Sequence, residues 1–85
     1  MEGFNLKIMT LDKLPIDVEA DIVDMDNALK ENGRLYEFGF SPRATITAKF
    51  CGPFGDPTAY MIMGALIALR KNEAELIRVC PHEEA

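Results

Sequence analysis

The sequence predicts a mainly β fold, a small and partly open β-barrel with one α-helix at one end. Three observations indicate this architecture. First, residues 17–25 and 44–50 alternate between apolar and polar side chains. Second, the segment between them has helical start and stop signals. Third, the apolar run PTAYMIMGALIALR has a glycine at its centre. Short strands with tight connections around one helix are typical of small barrels.

The first predicted strand is DVEADIVDM, residues 17–25. Its side chains separate into an apolar row and a row that is largely acidic: Val18, Ala20 and Ile22 against Glu19, Asp21 and Val23. A period of two is the signature of a strand with one buried face. We therefore expect this strand to cover the core with its apolar row.

The helix is predicted to run from about residue 27 to 38, with Asp26 as its N-cap. Gly33 lies inside it and lowers the helix propensity by about 1 kcal/mol. We expect the face that carries Ala28, Leu35 and Phe38 to be buried.

The end of this helix is marked by Gly39, which can adopt the left-handed conformation of a helix C-terminus. Phe40 would then pack on Leu35, as in a Schellman ending. The Ser41-Pro42 dipeptide turns the chain away from the helix.

The second alternating strand, residues 44–50 (ATITAKF), is predicted to point Ile46, Ala48 and Phe50 inward. The segment CGPFGDP that follows contains two glycines and two prolines, so we predict a loop.

The apolar run is the next element, and its length excludes a membrane span. Residues 59–69 carry no charge, but a bilayer-spanning helix needs about 20 apolar residues. We predict a hairpin that turns at Gly64, with strands at residues 58–63 and 65–70. Its core face would carry Tyr60, Ile62, Ile67 and Leu69. A continuous helix through Gly64 is the alternative.

The predicted domain covers residues 10–80. It closes with a helical turn at residues 71–76 and a last strand at residues 77–79. Residues 1–9 form an arm in which Phe4, Leu6 and Ile8 alternate, which would suit an added edge strand, and residues 81–85 form a flexible acidic tail.

Composition and charge limit the function classes. The 85 residues carry a net charge of −5, and the basic side chains are scattered along the chain. Such a chain repels phosphate backbones, so we expect no nucleic-acid binding. We find no signal peptide and expect a cytoplasmic protein without direct membrane insertion, whose two cysteines remain thiols.

Motifs for catalysis and cofactor binding are few. The loop GPFGDP has no Lys or Ser/Thr to hold a phosphate, and the single histidine, His82, lies in the tail, where we expect nothing rigid to orient it. Cys51, Cys80 and His82 are candidate ligands for zinc or iron. We favour the simpler interpretation of two partly buried thiols and a tail histidine, and therefore predict no cofactor.

Several motifs together resemble the FeoA family, the small ferrous iron transport protein A. RLYEFGFSP (residues 34–42) is similar to that family's "RL-x-x-LG-hydrophobic-x-PG" helix end, and LDKLP (residues 11–15) is similar to its "L-x-x-L-P" opening. The order of the later pieces also matches the family: GPFGDP at 52–57, Ile62-x-Gly64, IALR at 67–70, Glu73-Ala74 and Ile77-x-Val79. The resemblance covers about residues 10–79.

The resemblance implies an SH3-like barrel with an inserted helix and a non-enzymatic accessory role in bacterial ferrous iron uptake. The implied partner is the cytosolic part of FeoB, a permease with a GTPase domain. The same module occurs at the C-terminus of iron-dependent repressors of the diphtheria-toxin-repressor type. A metal-binding (iron or zinc) regulatory module is therefore the alternative function.

The sequence departs from the family pattern at two turns. Arg43 stands where relatives usually have Gly after Pro42, and Ile16 or Asp17 replaces another common Gly. We expect the turn at Arg43 to avoid the glycine-only backbone conformations.

A third departure concerns the outward side of the hairpin. Met61, Met63 and Leu66 occupy outward positions where relatives often carry charged or polar residues. Three large apolar side chains on a solvent-facing surface usually indicate a contact with another molecule. We therefore predict a protein interface at these residues, with Arg43 beside it. Three alternatives are kept for this surface: docking on FeoB, formation of a homodimer, and coverage by the N-terminal arm. A separate alternative is that Arg43 or Arg70 stimulates GTP hydrolysis by the partner.

Overall fold

The computed structural model describes residues 7–31 and 33–82, which form one six-stranded antiparallel sheet with strand order β1-β6-β2-β3-β4-β5. The mainly β prediction is confirmed. Within the described residues no ladder joins the two edge strands, so the sheet is small and SH3-like but not closed into a barrel. The elements are β1 Met9–Thr10, a 3₁₀ turn Leu11–Lys13, β2 Glu19–Met25, α1 Asn27–Lys30, α2 Arg34–Glu37, β3 Thr45–Cys51, β4 Thr58–Ile62, β5 Ala65–Leu69, α3 Lys71–Ala74 and β6 Ile77–Pro81.

The core lies on the inner face of the sheet, under the 3₁₀ turn and the short helices. Its largest fully buried side chains come from strands β2 to β6, from the 3₁₀ turn, from α2 and from Phe40 after it. The Tyr60 hydroxyl donates a hydrogen bond to the Leu11 carbonyl at 3.4 Å, which ties the 3₁₀ turn to β4. In the described part of the chain, no helix is long and apolar enough to span a membrane.

The helical region differs from the prediction. Gly33 adopts a left-handed conformation with φ of 78° and separates two four-residue helices, α1 and α2. The prediction of one helix over residues 27–38 was wrong because the glycine interrupts the helix instead of continuing it. Leu35 is buried as predicted, but Ala28 is exposed and Phe38 is 38% exposed.

The predicted helix ends are confirmed. The Asp26 side chain accepts a hydrogen bond from the Ala28 N–H at 2.9 Å. At the other end Gly39 has φ of 98°, and the Phe40 N–H donates to the Leu35 carbonyl at 3.0 Å. Because Leu35 and Phe40 are both buried, the Schellman ending also adds an apolar contact to the core.

Strand β3 confirms the second alternating segment except at its end. Ile46 and Ala48 are fully buried, but the pairing with β4 shifts between Ala48 and Phe50, as at a β-bulge. The extra residue reverses the side-chain alternation. Phe50 therefore lies outside the core at 58% exposure, and its predicted inward position was wrong.

The hairpin at Gly64 is confirmed. Strands β4 and β5 pair in one uninterrupted register from Thr58↔Leu69 to Ile62↔Ala65. The two turn residues, Met63 and Gly64, have φ of 50° and 80°, as a type I′ turn requires. The chain therefore reverses at Gly64 and does not continue as a helix, and Met63 belongs to the turn and not to the strand.

Two turns in which another residue replaces the family's usual glycine adopt a left-handed backbone conformation. Arg43 has φ of 78° and Asp17 has φ of 68°, so the prediction for Arg43 was wrong. Both residues donate short backbone hydrogen bonds, from the Arg43 N–H to the Ile22 carbonyl at 2.8 Å and from the Asp17 N–H to the Ala48 carbonyl at 2.6 Å. These bonds hold the backbone in a region that costs an L-residue about 1–2 kcal/mol.

Parts of the two predicted ends lie within the described residues. Met9 belongs to β1 and pairs with Val79 of β6, while Ile8 is exposed. Phe4 and Leu6 lie outside the described residues, so the predicted alternation of the arm stays a prediction. At the C-terminus β6 extends to Pro81, and the tail residues 83–85 also lie outside the described residues.

Candidate interaction surface

The outer face of the sheet, which points away from the core, carries one row of side chains in register across four strands. Glu19 pairs with Thr47, Thr47 with Met61, and Met61 with Leu66. Along this row the side chains change from acidic at β2 to apolar at β4 and β5. One face of the sheet thus joins a polar half to an apolar half.

The apolar half contains the residues predicted as an interface. We call Met61, Met63 and Leu66 the hairpin surface. Met63 is 77% exposed, Leu66 is 49% exposed and Met61 is partly buried. Unbranched methionine side chains adapt to the shape of a partner. The hairpin surface is therefore accessible and adaptable, but its role as an interface stays a prediction.

Two further residues extend this apolar half. Phe50 pairs with Ala59 across β3 and β4, Ala68 pairs with Ala59 across β4 and β5, and both Phe50 and Ala68 are exposed. Sequence reasoning missed Phe50, because a perfect alternation assigns it to the core. The nearest sequence signal is the Gly-Pro dipeptide at residues 52–53, which marks the end of the strand.

Arg43 lies at the end of the sheet where β4 turns into β5. It precedes β3, whose first residues pair with the last residues of β4. Its side chain is exposed and, among the described residues, makes no ion pair. Arg70, by contrast, pairs with Asp56 at 3.5 Å.

A cleft of about 590 Å³ lies beside the hairpin surface on the outer face. Its lining residues are Asp17, Val18, Glu19, Thr47, Lys49, Met61 and His82. The Lys49 ammonium pairs with Asp17 at 3.2 Å on one wall. The cleft therefore combines charged side chains of both signs with the side chain of Met61.

His82 lies at this cleft and is held firmly, contrary to our expectation for a tail residue. Its backbone N–H donates to the Glu19 carbonyl at 2.8 Å. Its ring lies between two carboxylates, with Nε2 at 2.8 Å from Asp21 Oδ1 and Nδ1 at 3.4 Å from Glu19 Oε1. Sequence reasoning missed this cluster because 61 residues separate Asp21 from His82.

The two partners change each other's proton affinity. The hydrogen bond with Asp21 raises the pKa of His82, and the bond from His82 lowers the pKa of Asp21. Both side chains are about half exposed, so solvent screens the interaction. The cluster fixes the end of β6 to β2, and the Thr45 hydroxyl in β3 also donates to Asp21 Oδ1, at 3.0 Å.

The three candidate metal ligands form no metal site among the described residues. Cys51 is exposed at the end of β3, and Cys80 is partly buried in β6, opposite Asp21. Within residues 7–31 and 33–82, no group of three or more His, Cys, Asp or Glu side chains could hold a metal ion. The two ring nitrogens of His82 instead face carboxylates.

The family model described as the FeoA domain matches residues 9–81. A curated relative from Porphyromonas gingivalis, the Fe(2+) transport protein A/Fe(2+) transporter FeoB fusion protein, is 35% identical over 71 residues. That match covers 84% of this chain, which spans only 8% of the length of the fusion protein.

Two solved structures have the same fold. The FeoA-like protein of Clostridium acetobutylicum has a TM-score of 0.81 and 25% identity, and the match covers 95% of this chain and 94% of that one. The FeoA of Stenotrophomonas maltophilia, solved in complex with zinc and described as an SH3 domain protein, has a TM-score of 0.71 and 28% identity. That match covers 84% of this chain and 88% of the other.

The fold and the matches define a small SH3-like β domain. The chain belongs to the FeoA family, since the family model covers the whole sheet from β1 to the end of β6.

Proposed function

We propose that this chain is a non-enzymatic, cytoplasmic accessory protein of bacterial ferrous iron uptake that docks on the cytosolic part of FeoB. The observation that carries the proposal is the exposed hairpin surface on a regular, hydrogen-bonded pair of strands. Charged and polar side chains keep a chain of 85 residues with net charge −5 soluble. Large apolar side chains that stay exposed on such a surface favour a contact with another protein.

The fusion protein of P. gingivalis supports FeoB as the partner. Its name joins a transport protein A and FeoB in one chain, and its transport protein A part is the kind of domain described here. Linking two modules covalently raises their effective concentration, which favours weak contacts between them.

Docking would act by shifting a conformational equilibrium of FeoB. A ligand favours one state only to the extent that it binds that state more tightly. The hairpin surface suits this task because the sheet holds Met61 and Leu66 in fixed register while their side chains remain adaptable. Arg43 would add a charged contact at the turn end of the surface.

The test is capture of this protein by the immobilised cytosolic part of FeoB. We expect Met61→Glu/Met63→Glu to lower recovery at least tenfold, since the substitution places two carboxylates in an apolar contact. Phe54→Glu is the matched control, because Phe54 is 96% exposed and lies in the loop at the opposite end of the sheet. Equal recovery of the wild type and both variants would contradict docking through the hairpin surface.

A further inference from the structure

Strand β5 forms one edge of the sheet and is bordered on one side only, by β4. The opposite edge strand, β1, contains only two residues, whereas β5 contains five. A long edge strand presents backbone N–H and C=O groups that can pair with another strand. The edge at β5 is thus the main site for strand addition in the described sheet.

The register of the hairpin identifies the free backbone groups. In a two-residue hairpin the residues that flank the turn form a hydrogen-bonded pair, here Ile62 and Ala65. Hydrogen-bonded and non-hydrogen-bonded pairs then alternate along the ladder. Leu66 and Ala68 occupy non-hydrogen-bonded pairs, so their N–H and C=O groups point away from β4, and no hydrogen bond from them occurs among the described residues.

The β5 edge lacks the features that usually block edge pairing. Proteins protect edges with charges, prolines, bulges or very short strands. Ala65–Leu69 has the sequence ALIAL, and its register with β4 is uninterrupted. Leu66 and Ala68 are exposed, and Ile67 is only partly buried at the rim of the core. The edge is therefore apolar, uncharged and free of bulges.

The free groups are arranged symmetrically about Ile67. If two β5 strands pair in antiparallel fashion with Ile67 opposite Ile67, Leu66 of each copy lies opposite Ala68 of the other. Each such pair exchanges two N–H···O=C bonds, so two pairs make four bonds. The same surface then serves both subunits, as a two-fold interface requires.

The side chains also suit this self-pairing. The two Ile67 side chains would cover each other at the rim of the core, in a non-hydrogen-bonded pair where side chains approach most closely. Three residues further along, Arg70 of one copy would lie opposite Gly64 of the other, so no like charges meet along the strands.

We propose that β5 pairs with β5 of a second copy in this register and makes a two-fold dimer with one continuous sheet. Dimerisation uses the backbone edge, so the side chains of Met61 and Met63 remain free for another partner. The proposal is independent of the docking on FeoB.

The first test is the mass in solution as a function of concentration, measured by sedimentation velocity. The wild-type mass should rise from 9.5 kDa toward twice that value. Ala68→Pro removes an N–H that faces away from β4, so the internal ladder is retained. It should weaken association at least tenfold, because two of the four bonds are lost. Ala68→Val, which keeps the N–H, should dimerise like the wild type.

The second test is amide hydrogen exchange of the wild type, which needs no variant. The amides of Leu66 and Ala68 should become protected as the concentration rises. A mass that stays at 9.5 kDa with unprotected amides would overturn the proposal, and so would a dimer that Ala68→Pro leaves intact. A monomer whose Leu66 and Ala68 amides become protected only when the cytosolic part of FeoB is added would also overturn it, because the edge would then accept a strand of FeoB.

Discussion

Met63 lies directly over Gly39, so that the hairpin turn contacts the end of α2. A Cβ built on Gly39 would overlap Met63 Cγ and lie 3.3 Å from Met63 Cβ. Gly39 also has φ of 98°. Gly39 is therefore required both by its backbone conformation and by the close approach of Met63.

Gly39→Ala should lower the free energy of unfolding by about 2–4 kcal/mol. The positive φ contributes about 1–2 kcal/mol and the overlap with Met63 a similar amount. In a Met63→Ala background the overlap is relieved, so the cost of Gly39→Ala should fall to about 1–2 kcal/mol. Urea unfolding of the four proteins measures the coupling, and strictly additive effects would show that the overlap is unimportant.

Met63→Asn should stabilise the protein by about 1 kcal/mol. Met63 has φ of 50°, and Asn-Gly is the preferred dipeptide of a type I′ turn. Met63→Val should destabilise by a similar amount, because a β-branched residue fits a positive φ poorly. Thermal unfolding compares the variants. If Met63→Asn were less stable than the wild type, contacts of the methionine would outweigh its backbone strain.

The His82 cluster should make stability depend on pH. The pKa of His82 is raised above 6.5 in the folded state, so its contribution is fully present below pH 6.5 and is lost as the pH rises through the raised pKa. The pKa of Asp21 is lowered from 3.8, so its contribution is present above pH 3.8 and is lost as the pH falls through the lowered pKa. The stability difference between wild type and His82→Gln should therefore be largest between these limits.

Urea midpoints of wild type and His82→Gln across this pH range measure the effect. Asp21→Asn provides the matched control, because it removes the main partner of the ring and should flatten the difference. Salt should reduce the effect, since both side chains are exposed. An identical pH profile for wild type and His82→Gln would show that the cluster is not held in solution.

Asp56 fastens the loop at residues 52–57 to the first turn of α3. Its Oδ1 accepts a hydrogen bond from the Lys71 N–H at 2.8 Å. Asp56→Ala should cost about 1–2 kcal/mol, because this N–H lies at a helix start and loses its acceptor. Asp56→Asn, which can still accept, should cost less than half as much. Equal losses in the two variants would instead assign the effect to the ion pair with Arg70.

The sequence predicted those elements whose signals are local. Residue alternation gave β2 and most of β3, Gly39 with Phe40 gave the helix end, and Gly64 gave the hairpin. In each case a short-range rule of backbone geometry agrees with the burial pattern. A fold can be predicted from its sequence where local backbone preference and the burial pattern agree in this way.

The failures come from tertiary contacts that override local preference. Gly33 is the N-cap of α2 with a positive φ, and the two short helices on either side of it bury Leu29 and Leu35. Arg43 accepts a strained backbone because its N–H bonds to Ile22 in β2.

The candidate site was only partly predictable. The accessibility of Met63 and Leu66 follows from the strand alternation and the turn, which are local. The contact of His82 with Asp21 and the exposure of Phe50 depend on strand order and on a bulge, which one sequence does not reveal.

The most direct test of docking through the hairpin surface is NMR mapping. The isotope-labelled protein would be titrated with the unlabelled cytosolic part of FeoB. We predict the largest amide shifts at Thr47, Met61, Met63 and Leu66, which share the outer face or its turn. Shifts confined to the loop at residues 52–57, or no shifts at saturating concentration, would contradict the proposed function.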